Sequence, residues 1–179
     1  MSALCSAQEI SLAQEEAQAY LEAQQDPYLT TIPEYSPKYT LFDTAKPGDI
    51  IINGREIYKV VEFTEVMAHN VGYIFLDTKK LSKPELEALT KTILDQYAEG
   101  TSFDVLAQDY TMDGNLNSAT LKYTDGEMVE TFEKAVSDHK KGDIFTVETP
   151  GEGWFHIVKK NENDRKVNAV KAEYAYFRE

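Results

Sequence analysis

Between Val71 and Lys160 the apolar residues change period and then change back. Val71-Gly-Tyr-Ile-Phe-Leu76 is a short continuous apolar run of the kind a buried strand needs. Leu86, Leu89, Ile93 and Tyr97 then recur at intervals of three and four, which predicts a helix. Ser82 with Glu85 supplies a capping box at its start, and Gly100 a stop. Thr101 with Asp104 reads as the cap of a shorter helix carrying Phe103, Leu106, Ala107 and Tyr110. Val129, Phe132, Ala135 and Val136 mark a third helix, closed before Lys141-Gly142. Asp143–Glu148 and Trp154–Lys160 return to strand composition. The order β-α-α-α-β-β predicts an α+β fold, with helices packed against a small sheet.

The first third of the chain reads differently. Ile10, Ala13, Ala17, Tyr20 and Leu21 predict a helix over 9–25, ended by Asp26-Pro27. Pro27, Pro33, Pro37 and Pro47, set among Tyr28, Tyr35 and Tyr39, predict an extended connector without regular ladders. Asn53-Gly54, between Asp49–Asn53 and Glu56–Phe63, is a strong hairpin signal. Residues 167–177 read as a strand that extends the last one or pairs with that hairpin. The expected division is an N-terminal extension over 1–63, a main domain over 64–160 and a tail over 161–179. A lone two-stranded hairpin is marginal in water, so the extension is expected to fold against the main domain or a partner.

Composition narrows the function classes. The 179 residues carry 18 Lys and Arg against 31 Asp and Glu, for a net charge of -13. Such a field repels phosphate backbones and argues against nucleic acid as a partner. No apolar stretch reaches the length of a membrane-spanning helix. A single cysteine, Cys5, excludes an intramolecular disulfide and a cysteine-based zinc site. His69, His139 and His156 stand in separate elements without a metal-binding spacing, so no metal is expected. Neither a Gly-x-Ser-x-Gly elbow nor a Gly-rich phosphate loop occurs, and no cofactor is expected. Ser2-Ala-Leu-Cys-Ser-Ala-Gln8 reads either as the end of a secretory signal, cleaved after Ala7, or as an ordinary N-terminus. Leu4 before Cys5 argues against a lipid anchor.

Four motifs in order carry a family resemblance. They are Phe103-Asp-Val-Leu106-Ala107-Gln-Asp-Tyr110-Thr111, Gly126-Glu-Met128-Val129-Glu-Thr-Phe132-Glu133-Lys-Ala135, Lys140-Lys-Gly142-Asp143-Ile144, and Phe155-His156-Ile157-Val158. Together they resemble the parvulin family of peptidyl-prolyl cis-trans isomerases over roughly residues 70–160. An N-terminal extension on such a module is similar to envelope folding factors of Gram-negative bacteria. The resemblance implies a periplasmic or secreted protein acting on unfolded or proline-containing polypeptide clients. It also raises an outer-membrane or secretion assembly as a partner.

The resemblance further implies a site. Met128 and Phe132 would form the floor of a proline pocket, with His156, Asp113 and Tyr73 as a hydrogen-bonded polar wall. Tyr73 stands where the family usually has a His, and Asp113 takes the aspartate variant of a cysteine-or-aspartate position. The family's Gly-Gly-Asp-Leu-Gly-Trp-Phe loop stands here as Asn117-Ser-Ala-Thr-Leu-Lys-Tyr123, which puts Thr120 and Tyr123 at the pocket. These departures leave a second reading open, a module that keeps the fold and binds clients or partners with weak catalysis. Lys79, Lys80 and Lys83 follow the first strand without an Arg, a weak signal for phosphorylated clients.

Overall fold

The computed structural model describes residues 14–24 and 27–178. The leader-like run Ser2–Gln8, with Cys5, and the first residues of the expected 9–25 helix lie outside that range. In chain order the elements begin with α1 (Gln14–Glu22), β1 (Tyr28–Pro33), a 3-10 helix (Pro37–Phe42), β2 (Ile50–Asn53) and β3 (Glu56–Asp77). There follow α2 (Lys83–Ala98), α3 (Phe103–Tyr110), β4 (Leu121–Thr124), α4 (Glu130–Ser137), β5 (Ile144–Thr149), β6 (Trp154–Lys160) and β7 (Arg165–Tyr176). The chain divides into two compact units, residues 1–66 with 167–179, and residues 67–166. The sequence-based division into 1–63, 64–160 and 161–179 set the tail apart, whereas here residues 167–179 group with the first unit.

In the first unit β7 lies between β1 and β3, and β2 pairs with β3. The hairpin turn sits one residue later than its Asn-Gly signal predicts. Asn53 pairs with Glu56, so Gly54 and Arg55 form the loop, and of the two only Gly54 takes positive φ (62°). Glycine first in a two-residue loop is the II′ pattern, which needs only one left-handed residue. Residues 27–47 also depart from expectation, because Tyr28–Pro33 pairs antiparallel with β7. Pro33 is the last residue of a strand at the sheet's edge, where a missing N–H costs no ladder bond. Pro37 opens the 3-10 helix, whose first N–H has no partner to lose, and Ser36 Oγ accepts from Lys38 N–H.

Strand alternation gives this sheet two apolar faces. Tyr58, Val60, Val170 and Ala172 pack with Ile32 and Phe42 on one; Ile57 and Ala175 pack with Ala17 and Leu21 of α1 on the other.

The second unit is built the same way around the C-terminal half of β3, which pairs with β4 and β6, while β5 pairs with β6. On one face Ile74, Leu76 and Ile157 meet Ile93 of α2 with Phe103 and Leu106 of α3. On the other, Val71, Tyr123, Val147 and Val158 meet Phe132 and Val136 of α4. Helices thus cover both faces of one antiparallel sheet, in the order β-α-α-β-α-β-β. Two details differ from expectation. The cap of α3 is Ser102, whose hydroxyl accepts from Val105 N–H, and β4 takes in Leu121, Lys122 and Tyr123, which read as loop.

Candidate functional site

Period-2 alternation decides which side chains meet. Phe75 stands opposite His156, and Asp77 opposite Trp154, so Tyr73 and Phe75 of β3 share a face with Trp154, His156 and Val158 of β6. Leu121 pairs with Val71 and joins that face from β4. The turn Gly126–Val129 and the start of α4 close over it. Their positions are fixed by the Glu133 carboxylate, which accepts from Gly126 N–H (2.8 Å) and Met128 N–H (3.0 Å). The result is a cleft of about 340 Å³. Leu121, Met128, Val129, Phe132 and Trp154 line its apolar part; Tyr73, Asp113, Glu127 and His156 are its polar members.

Tyr73 and Asp113 belong to one connected set with Thr111 and Asn115. Tyr73 Oη donates to Asp113 Oδ2 at 2.8 Å, and Asn115 Nδ2 donates to Tyr73 Oη at 2.8 Å. Asp113 Oδ1 also accepts from Thr111 Oγ1 (3.0 Å) and from Asn115 N–H (2.9 Å). The loop is anchored along β3, where Phe75 N–H donates to Thr111 Oγ1, Met112 N–H to Phe75 O and Tyr73 N–H to Ser118 O. Consecutive turns closed by the Asp113 and Asn115 side chains shape it, with Gly114 at φ 74°.

His156 stands apart from this set. Its ring packs edge-on against Tyr73 (centroids 5.8 Å) and Phe132 (5.4 Å), and against Phe75 (5.3 Å). Nδ1 is buried with no hydrogen-bond partner among the described residues. The expected hydrogen-bonded wall is therefore corrected. Tyr73 and Asp113 bond to each other, whereas aromatic rings enclose His156. Burial pushes the His156 imidazole below the usual histidine range, only partly opposed by the Asp113 charge, so it is neutral at pH 7. Burial likewise raises the Tyr73 hydroxyl, with Asn115 opposing and Asp113 reinforcing the shift, and it stays protonated.

Thr120 and Tyr123 do not line the cleft. Thr120 is exposed, and Leu121 takes the wall position one residue later, where strand pairing with Val71 turns it inward. Tyr123 is buried behind the floor, 6.1 Å from the Phe132 ring. It stacks at 4.7 Å on His69, whose two ring nitrogens stand 2.8 Å from Asp125 and Asp164 carboxylate oxygens. Asp164 also pairs with the buried Lys160, which donates to Val136 O of α4 at 2.7 Å. This buried ionic clamp ties β3, the turn after β4 and α4 together beneath the floor. Motif reading missed Asn115, Leu121 and the clamp. Leu121 enters through a cross-strand pairing with Val71 that no local pattern announces, and nothing local signals a pairing 95 residues apart.

A second depression, about 720 Å³ between α2 and the β5–β6 pair, is lined by Phe155 of the last motif but by none of the expected site residues. Among the described residues no cluster of His, Cys, Asp or Glu is arranged to hold a metal ion. No described helix is long and apolar enough to cross a membrane.

Comparison with known families places this geometry. The family model described as the PPIC-type PPIase domain matches residues 55–164, more than half of the chain. The chain belongs to the PPIC-type peptidyl-prolyl isomerase family. Its isomerase domain is an enzyme of the parvulin kind. Among solved structures, a PpiC-type peptidyl-prolyl cis-trans isomerase domain is similar at 21% identity with a TM-score of 0.50, over 57% of this chain and 94% of that one. The parvulin domain of PpiD from E. coli is similar at 18% identity with a TM-score of 0.41, over 61% and 93%. At 21% identity the first likeness shows a shared fold. No curated protein sequence matches the chain significantly.

Proposed function

We propose that the Tyr73–His156 cleft takes the X-Pro bonds of unfolded polypeptide clients, with Leu121, Met128 and Phe132 receiving the prolyl ring. The observation that carries this is a ring-enclosed His156 beside an apolar floor. A planar amide is strongly dipolar because resonance moves charge from nitrogen to oxygen. Twisting it abolishes that resonance across a barrier of about 20 kcal/mol. Apolar surroundings solvate the planar form poorly and the twisted form comparatively well, and each ~1.4 kcal/mol of that difference gives a factor of ten. Tyr73 supports the wall rather than transferring a proton, since its hydroxyl already donates to Asp113. No covalent step is required.

The experiment is exchange NMR on short X-Pro peptides with the full chain, beside Phe132→Ala. Acceleration by the native protein and about tenfold less by the variant is expected. Peptide binding without acceleration would instead favour the binding-module reading, whose support is the mutual saturation of Tyr73 and Asp113. Clients in transit through the bacterial envelope, and any assembly docked there, are a further part of this proposal. They rest on the leader-like composition of Ser2–Gln8 and on the resemblance. Recovery of the protein from the cytoplasmic fraction of its own cells, and not from the envelope fraction, would remove this part of the proposal.

A further inference from the structure

The cleft has a one-sided charge. Asp113 and Glu127 are the two carboxylates that line it; His156 is neutral; and no Lys or Arg is among the lining residues. The surrounding chain repeats that bias, since residues 67–164 carry 18 Asp and Glu against 10 Lys and no Arg. The lysines after β3 do not offset it. Lys80 pairs with Asp77 at 3.2 Å, Lys83 lines the separate groove beside α2, and Lys79 lays its methylene stem against Gly153. Glu127 is also held in place. Its Oε2 accepts from both the backbone N–H and the hydroxyl of Thr124, and its Oε1 has no bond among the described residues. The Asp113 carboxylate is fixed by three donors, so its charge is oriented as well.

We infer that the cleft selects clients with a lysine or arginine next to the proline, and discriminates against acidic or phosphorylated residues there. This rests on the proposed isomerase site and adds the chemistry of its substrate. A client chain must pass the carboxylates to seat its prolyl ring on Met128 and Phe132. A cation beside the ring meets fixed negative charge that costs no reorganisation. An anion meets the same charge with no cation on the lining to relieve it. The selectivity is electrostatic and set near the surface, so it weakens with salt.

The test uses the full chain and peptides Ala-X-Pro-Phe with X as Lys, Ala, Glu or phosphoserine. Both binding and isomerisation are followed by NMR, at low salt and at high salt. The expected order is Lys above Ala above Glu and phosphoserine, with Lys about tenfold over Glu at low salt and the gap at least halved at high salt. Glu127→Gln keeps an amide oxygen for Thr124 and is expected to lower the Lys-to-Glu ratio about threefold. Equal binding and equal turnover of the Lys and Glu peptides at low salt overturn the inference while leaving the isomerase intact. A tenfold binding preference for Lys without acceleration of any peptide keeps the selectivity and removes the catalysis. A ratio unmoved by both salt and Glu127→Gln overturns the assignment to these carboxylates.

Discussion

At the scale of single residues the cleft turns on two protons. Folding lowers the His156 pKa below its ordinary 6.5, so its neutral form is the one the folded protein favours. The stability this contributes is complete above the unfolded value and is lost as pH falls from there through the folded value. Isomerisation is therefore expected to be flat from neutrality upward and to fall on the acid side below pH 6.5. A rate profile by exchange NMR checks this, and a midpoint above 6.5 would contradict a neutral ring-enclosed imidazole. Tyr73 holds the other proton. Tyr73→Phe removes the donor to Asp113 and the acceptor for Asn115 while keeping the ring that packs on His156. The expected cost is about 1 kcal/mol in chemical denaturation. With it comes about a tenfold loss in kcat/KM, if the loop must hold Asp113 still for catalysis. Wild-type kcat/KM in that variant would make the hydroxyl purely structural. Motif comparison reached Tyr73, Asp113, Met128, Phe132 and His156. It placed Thr120 at the wall because it counted loop residues, whereas a short strand decides which of Thr120 and Leu121 turns inward.

At the scale of elements, the approach of the 111–120 loop to β3 depends on Gly72. A Cβ there would stand 2.7 Å from Ala119 O and 2.9 Å from the Phe103 ring, and the first of these is backbone that cannot swing aside. Gly72 thus lets α3 and the loop lie flat against the strand, which puts Asp113 within reach of Tyr73. Gly72→Ala is expected to destabilise by about 1–3 kcal/mol through overpacking. It should also shift the Asp113 and Asn115 amide signals away from wild-type positions. Unchanged stability together with unchanged loop signals would show that the contact yields freely. The helices were legible because each carries its own stripe and stop: α2 and α4 fall within a few residues of their sequence-based bounds. The strand β4 was not, because four residues are too few to show a period. Its pairing with Ala68–Val71 is set by tertiary contact. For the same reason β1 was hidden among prolines, since only its place at the sheet edge makes Pro33 tolerable.

At the scale of the molecule, the first unit is discontinuous in sequence. Residues 1–66 form it only with 167–179. β7 is its inner strand, paired with all of β1 from Tyr28↔Tyr174 to Pro33↔Ala169. It also feeds both of the unit's cores, Val170 and Ala172 into one and Ala175 into the other. Across the sheet, Lys59 reaches Glu173 and Lys171 reaches Glu62; both pairs are exposed enough to add little. The stabilising work of β7 is therefore ladder and burial. Without it β1 has no strand partner, Tyr58 and Val60 lose Val170 and Ala172, and the sheet that remains is a two-stranded hairpin of the marginal kind. Deleting 167–179 is thus expected to abolish amide protection in Tyr28–Pro33 and to lower it by about 100-fold or more in Ile50–Asn53. Hydrogen exchange with mass spectrometry on the truncated chain reads both segments directly. Protection of Tyr28–Pro33 at its full-length level would mean that β1 folds on contacts other than β7. In that case the closing strand could not be what makes the N-terminal segment a unit.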